Sequence, residues 1–482
     1  MLPATGVFFR TENEAIQRLF DAAERKCLGN LQQFGADQVL VEGGGYEKIW
    51  LETQPMGGEM YAKRNLTAAL NNVLLFMRTQ RSDGRLAGSI QGFPDGSIEA
   101  QFNKFQGFCF PEPALNLYYW IGENREYLKL LQQCLIRFDE YLWRTRDSDG
   151  DGCLESFCVY DTGEDNALRY GDAPVYCLTD TPPQGSSVVP MASMDIMSFS
   201  YSARDVLSRI SGILEDGGEA RWRTAADQVA AALKARLWDD DQGACFDRDR
   251  FGNTMPILTH NNLRCMYWGS FSQQMADRFV REHLLNPDEF WTPMPLPSVA
   301  ANDPAFRNAP ENNWSGQPEG LTYQRAIRAL ERYGWEPLVT RLGHRLFQAV
   351  IDGGYVFTQQ YDPFTGAPSR VSSVTKAPME PGSADPFQDG YGPTVLSVLE
   401  YIAHIWGVHM HMGQLWFSLG SGAPCVYEQR IGERLYRIES NGSEGRILVD
   451  GKEKMASPCG MRLITDREGR LITTRRIEDP RA

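Results

Sequence analysis

The chain has 482 residues, 42% of them hydrophobic and 23% charged, with a net charge of −14 and a sequence pI of about 5.1. That acidity argues against nucleic acid, which is held by basic patches, and against an anionic membrane surface. No window reaches the roughly 18 apolar residues of a membrane span, and the length implies a large core in about two to four domains. Aromatics are plentiful, with 11 Trp and 19 Tyr, and aromatic platforms hold neutral polyhydroxylated ligands as well as cores. The ten cysteines form neither CxxC nor a zinc-like Cys/His spacing, so reduced thiols are expected. The opening MLPATGVFFRTENEA lacks a signal-peptide pattern, and a cytoplasmic location is expected.

In chain order, Thr11 and Glu14 suggest a capping box for a helix carrying Ile16, Leu19, Phe20, Ala23, Cys27 and Leu31 and ending near Gly35. Gly43-Gly44-Gly45 is a turn, because no GxxxxGK[ST] pattern follows. A loop holding Trp50 and Glu52 precedes a helix expected over 59–80. A long polar loop, 88–105, leads to helices near 112–121 and 124–144. Then comes an acidic loop, with Asp147, Asp149 and Asp151 alternating and Glu155 following. Such hard oxygen donors on a glycine-bent loop suit calcium, although this Glu falls at position 9 rather than 12 of an EF-hand; without an ion the loop is a solvated acidic turn. Gly163–Gly171 next packs Glu164, Asp165, Asn166 and Arg169 between glycines. On residues alone it reads as a loop closed by an Asp165–Arg169 pair.

Helical hairpins follow at 196–214 with 222–237, within 261–284, and at 319–333 with 336–352, split at Gly334. A last helix is expected over 391–406, and polar loops lie at 239–260, 286–318 and 353–390. From about Gly413 the pattern changes to short alternating segments, with Asn441-Gly442 and Asp450-Gly451 as hairpin turns. His404, His409 and His411 gather at the junction.

RDSDGDGCLES followed by GEDNALRYG resembles the trehalase and processing α-glucosidase clan, especially glycoside hydrolase family 63 and its bacterial mannosylglycerate-hydrolase-like relatives. Trp50-Leu51, the Gln80–Leu86 segment, Trp291–Pro297, Asn313–Gln317 and Tyr361–Gly366 agree in the same order, over roughly residues 40–406. The resemblance implies a mainly α fold, with an (α/α)6 barrel over 1–411, and the alternating segments place a small antiparallel β domain at 412–482. It implies inverting hydrolysis of an α-glycosidic bond in a small oligosaccharide or glycoside, with one carboxyl as acid and one carboxylate activating water. Asp165 maps onto the acid, and Arg169 would bind sugar or orient it. The base Glu is expected just before Tyr361, where Gln359 stands, and an amide cannot take a proton from water at neutral pH. Glu380 is the provisional base. Glu319 or another loop acid is an alternative, and a site without a base is the third reading. Trp50, Glu52, Trp314, Gln317, Glu319, Gln359 and Tyr361 are expected to contact substrate. Calcium held by Asp147, Asp149, Asp151 and Glu155 would stiffen the loop carrying Asp165. Rival readings are a phosphorylase or epimerase on the same barrel, or a carbohydrate-binding protein without turnover.

Overall fold

A computed structural model describes residues 2–311, 313–379 and 383–479. The first helix, α1 (Glu14–Gly29), is capped by Asn13, whose side chain accepts from the Ala15 and Ile16 N–H groups. The expected Thr11–Glu14 box does not form, because Thr11 ends a strand, Thr5–Thr11, paired antiparallel with Cys425–Ile431. The helix also stops short of Gly35, since Leu31–Phe34 turns back as a hairpin on Asp37–Leu40. The single helix expected over 59–80 is two, α2 (Gln54–Tyr61) and α3 (Leu66–Arg78). Asn65 restarts it by accepting from the Ala68 N–H. Within the polar loop that follows, Ser89–Gly92 pairs with Ile98–Gln101.

The remaining helices lie close to expectation: α4 (Pro111–Trp120), α5 (Arg125–Thr145), α6 (Met194–Leu214), α7 (Glu219–Leu237), α8 (Asn261–Trp268), α9 (Gln273–Phe279), α10 (Gly320–Arg332), α11 (Glu336–Asp352) and α12 (Gly392–Trp406). Every second helix belongs to one closed cycle: α2 packs on α4, α4 on α6, α6 on α8, α8 on α10, α10 on α12, and α12 back on α2. α2, α8 and α12 are buried along their whole length, as inner helices must be. α1, α3, α5, α7 and α11 each pack on members of this ring. α1, α5 and α7 keep a polar, exposed face. Gly320 lets α10 and α12 approach so closely that a Cβ there would collide with Thr394.

Two antiparallel sheets complete the chain. One has the order Thr5–Thr11, Cys425–Ile431, Arg434–Ser440, Glu444–Val449, Lys452–Pro458; the other runs Val408–His411, Gln414–Leu419, Met461–Thr465, Leu471–Arg476. The β unit thus starts at Val408, and its first sheet takes in a strand from the other end of the chain. Phe9 and Phe347 both stack on Trp406, with centroids 6.5 and 6.0 Å away, and seal that sheet onto the end of α12. Asp450 and Gly451 both have positive φ, +51° and +75°, which makes the expected two-residue hairpin turn. Among the described residues no helix is long and apolar enough to cross a membrane.

Candidate active site

The amino ends of five ring helices converge, while α4 begins at the other end, where Glu112 pairs with Arg332 in the last turn of α10. Glu52 lies just before α2, Asp195 in the first turn of α6, His260 before α8, Glu319 before α10 and Tyr391 before α12. Into this end dips the loop 163–171. Arg169, expected to bind sugar or orient Asp165, is turned toward the floor of the ring. Its guanidinium is taken by Glu164, Asp247 and Asp195. Asn166, at φ +58°, turns the chain between Asp165 and Arg169, and a 3-10 turn at Leu168–Tyr170 carries Arg169 inward. Burial alone would push the Glu164 carboxyl up. Arg169, Arg264 and a hydrogen bond with His260 overcome this and hold it well below the usual range. Burial raises Asp247 to about 6 against the pull of Arg169, and lowers His260 to about 4 despite Glu164. Thr322 bonds the other His260 nitrogen at 3.0 Å, so the imidazole is clamped between α10 and the loop.

Asp165 itself is half-buried, and the loop is stitched to 314–315: the Trp314 N–H donates to the Asp165 carbonyl at 3.2 Å and the Leu168 N–H to the Ser315 hydroxyl at 2.7 Å. Gly163, at φ +74°, has no room for a Cβ because the Glu52 carboxylate lies against it. Three carboxyls share the pocket with Asp165. Glu319 is 0% exposed, and neither of its oxygens makes a well-formed hydrogen bond. Its pKa is pushed well above the usual range, first by burial, then by the charges of Asp165 and Glu52; the Gln359 amide opposes the rise. Burial likewise raises Glu42 and Glu52, the latter against Arg325, with which it pairs at 2.8 Å.

Gln359 and Glu319 sit on paired segments. Glu319 bridges Gln360, the Gly320 N–H donates to the Gln359 carbonyl at 2.9 Å, and the Tyr361 N–H donates to the Pro318 carbonyl at 3.1 Å. Tyr46 donates its hydroxyl to the Gln359 side-chain oxygen at 3.1 Å. Gln359 therefore keeps its amide nitrogen for the pocket. Glu380, the provisional base, lies outside the described residues.

The other expected contacts divide. Trp50 is half-buried with its indole N–H unengaged, and the Lys48 and Lys104 ammonium groups stand 5.5 and 5.4 Å from its ring. Burial and then Lys48 lower Lys104 to about 8, while Asp165 favours its charge. Neither lysine has a carboxylate partner among the described residues. Trp314 is buried against the His260 ring at 5.5 Å. Tyr361 is fully buried and donates its hydroxyl to the Val356 carbonyl. Both ends of the Gln317 amide are engaged within the protein, by Asn308 and Ser369.

A profile for the mannosylglycerate hydrolase MGH1-like glycoside hydrolase domain matches residues 62–377, well over half of the chain. The chain belongs to this glycoside hydrolase family. Among solved structures it is similar to the family 63 mannosylglycerate hydrolase of Thermus thermophilus in complex with glucose, at 17% identity and TM-score 0.60, covering 80% of this chain and 99% of that one. It is similar to a sialidase at 12% identity and TM-score 0.69, covering 97% of this chain and 43% of that one. It is also similar to the neutral trehalase of Saccharomyces cerevisiae at 13% identity and TM-score 0.56, covering 78% and 74%. These three likenesses are of fold.

Within this MGH1-like chain, Asp195, Asp247, His260, Asn261 and Arg264 form a buried floor that the sequence does not announce. Arg264 binds Asp195 at 3.1 Å and Asn261 bonds Glu164 at 3.0 Å, joining positions far apart in the chain. Asp195 in a first helical turn reads as an ordinary dipole partner. In the acidic loop, Asp147, Asp149 and Asp151 bring one oxygen each within 4.8 Å of one another. Glu155 stands apart from that trio: it is buried, accepting from the Ser148 N–H at 2.9 Å.

Proposed function

We propose that the chain hydrolyses an α-glycosidic bond with inversion, in an (α/α)6 barrel formed by the helical ring and its outer helices. Asp165 is the general acid and Glu319 the general base. The observation that carries this reading is Glu319 itself: a fully buried carboxyl without a well-formed hydrogen bond or a cationic partner, which feels the charge of Asp165 and lies beside the Gln359 position. The base has moved from one of two paired segments to the other. Inversion needs one proton shared between two carboxyls, with room for a water. Protonated Asp165 gives its proton to the leaving oxygen. With that proton on Asp165, its charge no longer adds to the burial and the Glu52 charge that raise Glu319, and Glu319 in its ionised form takes a proton from the attacking water. Gln359, its oxygen held by Tyr46, offers an N–H to that water or to Glu319.

Lys48 and Lys104 flank Trp50 near Asp165, on the side where the leaving group is protonated. Two ammonium groups bonded only to amide oxygens, those of Gln101 and Asn103, favour a small acidic aglycone, in keeping with the mannosylglycerate named for the Thermus thermophilus relative. A proton-NMR time course with α-hexosyl glycosides of hydroxy acids, beside neutral disaccharides, tests this. The β-anomer is expected to appear first, and Asp165→Asn to lose on the order of 10²–10⁴-fold in turnover with its fold intact. Retained turnover in Asp165→Asn, or first release of the α-anomer, would overturn the mechanism. Phosphate-dependent release would favour a phosphorylase.

In the same reading Asp147, Asp149 and Asp151 hold calcium, since three carboxylates converge there on a bend with Gly150 and Gly152 at positive φ. The ion would stiffen the loop that leads to Asp165. Chelation is expected to lower the melting temperature by a few degrees, and Asp149→Asn to abolish that difference; an unchanged melt in chelator would remove calcium from the account. All ten cysteines are free thiols, which supports a reducing, cytoplasmic setting.

A further inference from the structure

The opposite end of the ring holds a second chamber. A cavity of about 310 Å³ lies among the carboxyl-terminal parts of α2, α6, α10 and α12 and is bounded by Val408–His411 of the β unit. Helix α10 separates it from the catalytic pocket: Glu319 precedes that helix and Glu331 lies in its last turn, roughly 18 Å away at 1.5 Å per residue. The volume is far beyond the roughly 10–15 Å³ that admits a single water.

The acids on its wall are already matched. Glu59 pairs with Arg328 at 3.1 Å, Glu112 with Arg332, Glu400 with Lys63 at 2.6 Å, and Glu331 with both Arg462 and His404. What remains over is mainly donor capacity. The Arg328 Nη1 and the Arg332 Nε are buried donors with no partner, and both ring nitrogens of His409, one donor and one acceptor in the neutral ring, are unbonded as well; His409 is only 4% exposed. Burial holds His409 toward its neutral form, and the basic groups His404, Arg462, Lys63 and His411 press in the same direction. A metal ion suits the place poorly. The His404 and His409 rings stack 3.7 Å apart at an interplanar angle of 17°, so one ion cannot lie in both ring planes, and Arg462 already occupies Glu331. An acceptor-rich, negatively charged guest answers the unmet donors, since buried polar groups left unbonded are costly.

We propose that this cavity binds a small molecule bearing an oxyanion, held by His409, Arg328 and Arg332, and that the guest ties the β unit to the base of the helical ring. Isothermal calorimetry and thermal melts of the full chain test it, with orthophosphate and glycerol 3-phosphate as probes and chloride at matched ionic strength as control. Saturable binding with a rise of several degrees in melting temperature is expected, and His409→Phe, which keeps an aromatic ring in the stack, should weaken it at least tenfold. Glycosidase turnover should stay within twofold in that variant. Arg328→Lys should show the same loss of binding, and serves if His409→Phe does not fold. Binding of both probes alike identifies the bare anion as the ligand; binding of glycerol 3-phosphate alone identifies a phosphorylated small molecule. Three results would overturn the proposal: no saturable binding of either probe, binding undiminished in both variants, or a zinc-induced, EDTA-reversible stabilisation lost in His409→Phe.

Discussion

Replacing Glu319 by glutamine should lower turnover by on the order of 10²–10⁴-fold while raising the melting temperature by about 1–3 °C. The two effects come from one cause. Glu319 is fully buried, and burial, Asp165 and Glu52 all disfavour its ionised form. Its folded pKa lies above its unfolded value, so the folded state binds the proton more tightly. The stability this gives is complete below the unfolded pKa and is lost as pH rises through the folded one. The ionised form of this buried carboxyl is thus the one that weakens the fold, and it is the same form that activates water. Glutamine keeps the shape and removes the charge. The gap in melting temperature between Glu319→Gln and wild type should widen from pH 5 to pH 8, and Asp165→Asn should shrink it by removing the charge that raises Glu319. Glu380→Gln is the decisive companion: it should retain turnover. Full activity in Glu319→Gln, with loss in Glu380→Gln, would assign the base to Glu380.

The helical hairpins were legible because each carries its apolar stripe within a few turns, and Gly334 or a capping residue marks where it stops. The acidic loop and the Asp165 segment were legible as well, since their donors are close in sequence. What joins distant stretches was not. Thr5–Thr11 finds its partner at Cys425–Ile431, and nothing local in either stretch announces that pairing. Lys452–Pro458 is a strand whose side chains mostly face solvent, so it lacks the alternation that reveals its neighbours. Arg169 misled for a different reason. Four residues after Asp165, it has helical spacing, but the segment is not a helix. The left-handed Asn166 breaks the register and sends the guanidinium to the ring instead. Glu319 was visible only as one loop acid among several; its pairing with the Gln359 segment, forty residues on, singles it out.

Arg169→Met should destabilise the protein by roughly 3–5 kcal/mol, the usual result of removing one partner from a buried ionic cluster. Here a single guanidinium faces Glu164, Asp195 and Asp247, all of them buried. Without it, Arg264 is the remaining guanidinium on Glu164 and Asp195, and Asp247 loses the largest influence opposing its burial. The pH dependence should change sign for Glu164. In the wild type its pKa is depressed, so its contribution is present above the unfolded value and lost as pH falls. In Arg169→Met burial dominates, the carboxyl prefers its proton, and stability should fall as pH rises from 5 to 7.5. Denaturant unfolding at those two pH values reads this directly; a variant within about 1 kcal/mol of wild type at pH 7.5 would show that the cluster is not what holds the loop. Arg169→Lys restores the charge without the planar fork that reaches several carboxylates at once, so it should recover only part of the stability. Its turnover separates two roles. If Arg169 acts only by anchoring residues 163–171, turnover per folded molecule should recover with stability, because its two Nη groups are held by Glu164, Asp195 and Asp247. If it touches substrate, KM should stay raised after the fold has been restored.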